Sequence, residues 1–372
     1  MPRRLLLLNG LAILGVILFH SGGWGFTAMF AWAHRYMPVA SPNYDQMGSA
    51  AYYGLRLIEQ LVTFSIPAFL VVSGFFASFA AAGSASDGIG GGWRRIMPRL
   101  KELLPPYLIW SILLLAGISL QGRSFSAAEW LVSLMTGATN PAYYFVPLLV
   151  QLYLLAPLMA PLARSSPRAL LIVLGLVQLG VYGLQYANLI APEGSAVYRL
   201  SALLPKWLFI VHIFWFALGM VLGSHAPRFR ETLKRWRPWL GAAALAGFIG
   251  GAVEWEALLR LSGRPWLENR TTFVDGFYAL AFIFWFIASS ETGAAVGRGL
   301  AFLGSRSYGI YLVHSPVMEV FARGFYHLAP WILSQQLLLQ PILIVFGMSV
   351  PLVMMELPRR TALRPAYAYL FG

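Results

Sequence analysis

The sequence predicts an all-α integral membrane protein, a polytopic bundle with about ten transmembrane helices, on three observations. First, 58% of the 372 residues are hydrophobic and only 11% are charged, whereas about a quarter of the residues in a soluble domain are charged. Second, apolar stretches of the length that crosses a bilayer, about 20 residues, recur along the chain. Third, the positive charges collect between alternate stretches. We therefore expect the lipid bilayer as the surroundings of this chain.

The apolar stretches define the predicted spans one by one. Each contains close to 20 mainly apolar residues and is bounded by polar or turn-forming residues. The polar stretches between the spans are short, so we expect one membrane domain over residues 1–372 with no appended soluble domain. The ten predicted spans are 5–23, 53–79, 103–120, 143–163, 169–187, 205–223, 239–257, 271–290, 306–325 and 335–356.

The distribution of basic residues predicts the orientation of the bundle. With a cytoplasmic N-terminus, two thirds of the 27 Lys and Arg residues fall in segments on the cytoplasmic side. The positive-inside rule then predicts that both termini are cytoplasmic, as in a multi-pass protein of the cell inner (plasma) membrane. The net charge of +13 is mostly a topology signal, and we expect no nucleic-acid partner because basic stripes with interleaved aromatic residues are missing.

The residue types exclude several kinds of chemistry. The chain contains no cysteine, which excludes disulfides, thiolate catalysis and cysteine-ligated zinc sites. Its six histidines lie in different segments without the close spacing of a zinc-binding helix. We therefore expect no metal site and no tightly bound cofactor.

Ionisable residues inside the predicted spans are the candidates for function. His20 in the first span, and Arg56 and Glu59 in the second, fall in the outer third of the membrane, and His314 in the ninth lies deeper. Such residues usually face the bundle interior or a water-filled cavity, so a polar cavity that opens outward is expected. Arg56 and Glu59 are also three residues apart on a helix and so can neutralise each other.

Four stretches, in order, resemble the membrane acyltransferase-3 family. They are "NGLAILGVILFH" (Asn9–His20), "SIPAFLVVSGFFAS" (Ser65–Ser78), "WRRIMPRLKELLPPYLIW" (Trp93–Trp110) and "LGSRSYGIYLVHSPV" (Leu303–Val317). Their order, spacing and ten-span frame cover nearly the whole chain. The residues of the second stretch are similar to those in the branch of the family that includes glucan-succinylating proteins.

The resemblance implies an acyl transfer reaction. An acyl group such as acetyl or succinyl would pass from cytoplasmic acyl-CoA, a co-substrate, to a hydroxyl of an extracytoplasmic or lipid-linked carbohydrate. His20 matches the first-helix histidine of the family, which makes it the candidate general base. The family usually has an arginine where this chain has Asn9, and Arg94, Arg95 and Arg99 differ in spacing from the family's Arg-x-x-Arg pattern.

These matches give the candidate site residues their expected roles. Near neutral pH the imidazole of His20 can accept the proton of a sugar hydroxyl, and Glu59 is the candidate to hold that imidazole in the useful tautomer. The tetrahedral oxyanion needs hydrogen-bond donors, for which Ser73, Tyr311 and His314 are candidates. The arginines would bind the phosphates of CoA. The expected substrate-binding set is Asn9, Arg56, Ser73, Arg94, Arg95, Arg99, Tyr311 and His314.

Two alternatives from other classes remain at this point. A proton-coupled transporter or flippase would use His20, Glu59 and His314 as a proton relay, since intramembrane ionisable residues are typical of such proteins. It predicts an inverted internal repeat, but no second copy of "LFHSGG" or "VVSGFF" occurs. A purely structural membrane protein is the other alternative.

Overall fold

A computed structural model describes residues 1–81, 88–192, 194–267, 272–289 and 293–372, and every regular element in these ranges is helical. The all-α prediction is therefore confirmed for the described part of the chain. Its α-helices are α1 (Pro2–Phe26), α2 (Ala50–Val62), α3 (Ser65–Ala80), α4 (Gly88–Leu120), α5 (Ala127–Thr136), α6 (Phe145–Ser165), α7 (Pro167–Ile190), α8 (Ala196–Ala202), α9 (Ile213–Ser224), α10 (Ala226–Ser262), α11 (Phe273–Ala288), α12 (Ala294–Gly304), α13 (Ser307–Leu328), α14 (Gln336–Arg359) and α15 (Tyr367–Phe371).

Seven helical segments of the described chain are long and apolar enough to cross a membrane. Each overlaps one of the ten predicted spans, so the multi-pass character is confirmed by length and composition. The seven segments are Pro2–Ala31, Ala50–Ala80, Gly90–Leu120, Phe145–Ser165, Pro167–Ile190, Glu231–Ser262 and Gln336–Arg359.

The other three predicted spans correspond to helices that are too short or too polar to count among these seven segments. Span 205–223 overlaps α9, which has 12 residues. Span 271–290 contains α11, which has 16, while residues 271 and 290 lie outside the described ranges. At 1.5 Å per residue these two helices are about 18 and 24 Å long, less than the hydrocarbon thickness of about 30 Å. Span 306–325 overlaps α13, whose 22 residues include Glu319 and Arg323.

Glycine brings α3 and α9 into close contact. A Cβ atom on Gly74 of α3 would overlap the carbonyl oxygen of Phe216, and one on Gly219 of α9 would overlap that of Val71. Because neither glycine has a side chain, the two helix backbones touch directly. Helices in lipid associate through such close packing, since the hydrophobic effect does not drive them together there.

Helix α1 lies at the centre of the bundle and positions the candidate base. It packs against α2, α3, α11, α12, α13 and α14. Its side chains from Leu5 to Ile17 include several that are fully buried, among them Leu8 and Ile13. His20 therefore stands near the C-terminal end of a helix that other helices surround on most sides.

A tyrosine compensates for the proline inside α13. Pro316 has no N–H, so it leaves the carbonyl oxygen of Leu312, four residues earlier, without its helical partner. The Tyr143 hydroxyl donates to that oxygen at 2.6 Å. In the opposite direction, the Tyr311 hydroxyl donates to the carbonyl oxygen of Ala142. The two bonds fix α13 against the turn that precedes α6.

Candidate active site

The structure brings two predicted site histidines together inside the bundle. The imidazole rings of His20 on α1 and His314 on α13 have centroids 5.1 Å apart, and their planes are inclined by 59°. His20 is partly exposed, whereas His314 has an exposed fraction of 0%. The hydropathy pattern gave no reason for their contact, because it placed them at different depths in different spans.

Asn9 explains how the two histidines reach each other. Its side-chain amide donates to the carbonyl oxygen of Gly304 at 3.0 Å and to the hydroxyl of Ser307 at 2.6 Å. These bonds fix the start of α13 level with Asn9. From that level His20 lies about 16 Å and His314 about 10 Å along their helices. The two histidines therefore lie within about 6 Å of each other in height, on helices that pack together.

The hydrogen bonds of His314 fix the tautomer of its neutral ring. Nδ1 lies 2.7 Å from the carbonyl oxygen of Tyr311 and 3.2 Å from that of Ile310. Both atoms are acceptors, so Nδ1 carries the hydrogen. Nε2 therefore holds a lone pair, and it is buried without a hydrogen-bond partner among the described residues. A neutral His314 therefore has no N–H left to donate to an oxyanion, the role that the sequence predicted for it.

Two further residues expected to stabilise the oxyanion are also placed unfavourably. The single O–H of Tyr311 is donated to Ala142. Ser73 lies beside the hydroxyl of Tyr153, far from His20. The separation follows from α3, which runs antiparallel to α1 with Ser65 against Gly15. Counted along the two helices from that contact, Ser73 and His20 are about 20 Å apart.

Arg56 and Glu59 pair with each other, as their spacing predicted. The guanidinium of Arg56 donates to the carboxylate of Glu59, and the exposed fractions of the two residues are 8% and 7%. The guanidinium carbon lies 3.2 Å from the ring centroid of Trp255. Glu59 also approaches α1, since its Cγ is 3.7 Å from the position of a Cβ on Gly22. The role of Glu59 as the partner of His20 stays a prediction.

The polar contacts continue from α2 toward α10 and α11. The amide of Gln60 donates to the carboxylate of Asp275 at 2.9 Å. The Thr272 hydroxyl lies 3.0 Å from Asp275 and 2.6 Å from the carboxylate of Glu254. Buried polar groups need such partners to offset their desolvation, so this chain of contacts connects three helices on the side where Arg56 is buried.

Three of the predicted site residues, Arg94, Arg95 and Arg99, lie in the N-terminal part of α4 and have separate surroundings. Arg95 donates to the carbonyl oxygens of Ala80 and Ala81, 3.2 and 3.5 Å away, and so caps α3. Arg99 pairs with Glu102 at 3.0 Å on the surface, and Arg94 is exposed.

The distance between these arginines and His20 is close to a membrane thickness. From Ser65, which lies against Gly15, α3 extends about 22 Å to Ala80, where Arg95 binds, and His20 lies about 8 Å beyond Gly15 in the opposite direction. The two groups of site residues are therefore about 30 Å apart along the bundle.

The histidine pair has further polar neighbours that the sequence did not connect with it. The Lys206 ammonium, in the loop before α9, acts electrostatically on both His20 and His212. His212 has an exposed fraction of 7%, and its Nδ1 has no hydrogen-bond partner among the described residues. On α1, the Ser21 hydroxyl donates to the amide oxygen of Gln340 at 2.6 Å. The sequence did contain a signal for Gln340, because an amide side chain stands out inside an otherwise apolar helix.

Comparisons with known proteins support an acyl transfer reaction. The model of a family described as an acyltransferase domain, acyltransferase-3, matches residues 5–356. The succinoglycan biosynthesis protein ExoH of Rhizobium meliloti (strain 1021) is 25% identical over 306 residues, which cover 77% of this chain and 74% of that protein. No solved structure matches the chain.

Proposed function

The chain belongs to the membrane acyltransferase-3 family and is an acyltransferase, and from this premise we propose which groups it transfers. The donor is cytoplasmic acyl-CoA, carrying acetyl, succinyl or a similar group, and the acceptor is a hydroxyl of an extracytoplasmic or lipid-linked carbohydrate. The observation that carries the proposal is the partly exposed imidazole of His20 inside the bundle, in contact with His314. Family membership also favours an enzyme over the transporter and structural alternatives.

A carbohydrate acceptor is supported by the relative. The printed name of ExoH assigns that protein to the biosynthesis of succinoglycan, a glycan. We extend only the chemical class to this chain, whose acceptor is then a sugar hydroxyl and whose product is an O-acyl ester.

The proposed topology has ten membrane crossings with both termini cytoplasmic, in the inner membrane. Besides the seven long apolar segments, α9, α11 and α13 would cross as shorter or more polar helices in the shelter of their neighbours. Helix α9 packs closely on α3, and α11 on α10. In this topology Arg94, Arg95 and Arg99 face the cytoplasm, and His20 stands toward the outer side.

His20 acts as the general base in the proposed mechanism. One ring nitrogen takes the proton of the sugar hydroxyl while the hydroxyl oxygen bonds to the thioester carbonyl carbon. The tetrahedral intermediate then breaks its C–S bond, and the sulfur leaves as thiolate and takes up that proton, giving free CoA. A positioned base contributes about 10²–10⁴-fold to such a step.

The donor would enter from the opposite end of the bundle. CoA is polyanionic, and the exposed Arg94 and Arg99 offer forked hydrogen bonds for its phosphates, while Arg95 is engaged with α3. The separation of about 30 Å between these arginines and His20 requires the thioester end of the donor to pass between the helices.

Transfer of radiolabel tests this function. Membranes that contain the wild-type protein, His20→Ala or the control His327→Ala, at matched abundance, receive a panel of labelled acyl-CoAs, and label in membrane glycans is counted. His327 is an exposed residue at the end of α13. We expect label from one donor with the wild type and the control, and loss of about 10²-fold or more with His20→Ala. Equal labelling by His20→Ala would refute the role of His20, and no wild-type labelling with any donor would refute the proposed donor class.

A further inference from the structure

The two histidines differ in what can reach them. His20 is partly exposed, and neither of its ring nitrogens hydrogen-bonds any residue in the described ranges. His314 is fully buried, and its contacts include the rings of His20 and Tyr311. A substrate hydroxyl can therefore approach His20, whereas it has no path to His314 in this structure. Any effect of His314 on the substrate must act through His20.

His314 presents an acceptor atom away from its own helix. Its Nδ1 is held by the carbonyl oxygens of Tyr311 and Ile310, and Nε2 lies on the other side of the five-membered ring. This Nε2 is buried without a hydrogen-bond partner among the described residues. A buried polar atom without a partner is unusual and costs free energy, which points to a partner during the reaction.

The separation of the rings suits a direct hydrogen bond between them. An N–H···N bond of about 2.9 Å between two imidazoles, whose ring atoms lie about 1.1 Å from the centroid, places the centroids about 5 Å apart. The observed separation is 5.1 Å. A direct hydrogen bond is therefore compatible with the observed separation when a nitrogen of His20 faces Nε2.

We propose that His314 is the positioning residue of His20, which accepts its N–H at Nε2 and so leaves the other nitrogen of His20 with a lone pair toward the sugar hydroxyl. This inference rests on the proposed acyl transfer. When His20 takes the hydroxyl proton, its original N–H stays bonded to His314 and the positive charge is shared through that bond. The proton on the substrate side then passes to the leaving thiolate.

A neutral imidazole suits this place better than a carboxylate. Buried apolar residues precede each histidine along its helix, such as Ile17 on α1 and Val313 on α13, and an isolated carboxylate in a buried position carries a large desolvation penalty. The carboxylate of Glu59 is engaged with Arg56. A second histidine supplies an acceptor lone pair without bringing a charge into the ground state.

Two substitutions of His314 separate the proposed role from a structural one. The amide nitrogen of asparagine takes the place of Nδ1, so His314→Asn keeps the donor for the Tyr311 carbonyl and loses the acceptor. The amide of glutamine reaches the place of Nε2, so His314→Gln keeps an acceptor there and loses the hydrogen bond to the Tyr311 carbonyl. His225→Asn is the control, because the Nδ1 of His225 bonds the Val221 carbonyl four residues earlier in the same way.

The kinetic result expected is a specific order of activities at matched membrane abundance. His314→Asn should lose about 10²-fold in kcat with KM unchanged, His314→Gln should retain clearly more activity, and His225→Asn should behave as the wild type. Activity of His314→Asn equal to or above that of His314→Gln would overturn the proposal.

A readout that needs no acyl transfer tests the tautomer itself. In the wild-type protein with ¹⁵N-labelled histidine, the NMR signals of His314 are identified by their absence in His314→Asn. We expect hydrogen on Nδ1, and hydrogen on Nε2 would overturn the proposal. If no acyl-CoA supports transfer by the wild type, the proposed function fails, while this measurement still decides whether His314 offers an acceptor to His20.

Discussion

The buried ion pair between Arg56 and Glu59 allows a sharp test of what Glu59 does. Removing one partner of a buried ion pair takes away the counter-charge of the other and costs about 3–5 kcal/mol. The two single substitutions are not equivalent here. In Glu59→Gln the guanidinium keeps the face of Trp255, 3.2 Å from its centroid, and a desolvated cation–π contact is worth about 2 kcal/mol. We therefore expect a loss of about 1–3 kcal/mol for Glu59→Gln and about 3–5 kcal/mol for Arg56→Gln.

The double variant Arg56→Leu/Glu59→Leu provides the matched comparison. Apolar residues in place of a buried ion pair are often neutral or stabilising, so the double variant should be more stable than either single one. The assay is the free energy of unfolding of purified protein in mixed micelles, followed by tryptophan fluorescence. A loss for Glu59→Gln that equals or exceeds the loss for Arg56→Gln would refute the role given to Trp255. Wild-type acyl transfer by the double variant would refute a catalytic role for Glu59.

Two further predictions concern packing. Gly74→Ala should lower the free energy of unfolding by about 1–3 kcal/mol, because the new Cβ overlaps the Phe216 carbonyl. The control Gly117→Ala should be tolerated, since the space at Gly117 is open. Equal losses for the two variants would contradict the close crossing of α3 and α9. Tyr143→Phe should lower it by about 1–3 kcal/mol, since the Leu312 carbonyl loses its partner. In a Pro316→Ala background, where residue 316 regains an N–H, this loss should shrink, and an unchanged loss would contradict the compensation.

The sequence was informative about properties that depend on neighbours along the chain. Apolar stretches predicted the membrane class and the seven segments that are long and apolar enough to cross a membrane, because hydropathy is a local property. For span 205–223, hydropathy predicted a longer helix than the structure has. The residues before α9, around Trp207 and Phe209, are as apolar as those of a membrane helix, but α9 begins only at Ile213.

The roles of the site residues depended on properties that are not local. Tyr311 and His314 were expected to donate to an oxyanion, but their hydrogens are used by backbone carbonyls, those of Ala142 and of Tyr311 itself. A residue type shows which hydrogen bonds are possible, and only the surrounding backbone decides which of them are already made. Ser73 illustrates the same limit, since its distance from His20 follows from the antiparallel course of α3.

Asn9 connects the departure from the family pattern with the geometry of the histidine pair. Arginine at this position would bring a charge to a place where the asparagine amide bonds Gly304 and Ser307. Those two bonds, with the close approach of Gly10 to the backbone of α12, fix the register of α1 against α13. A slip of one residue would move His20 by about 1.5 Å along the helix and by about 100° around it, which would take its ring away from His314. In this chain we therefore expect the residue at position 9 to act on the reaction through the register of two helices, eleven residues from the proposed base.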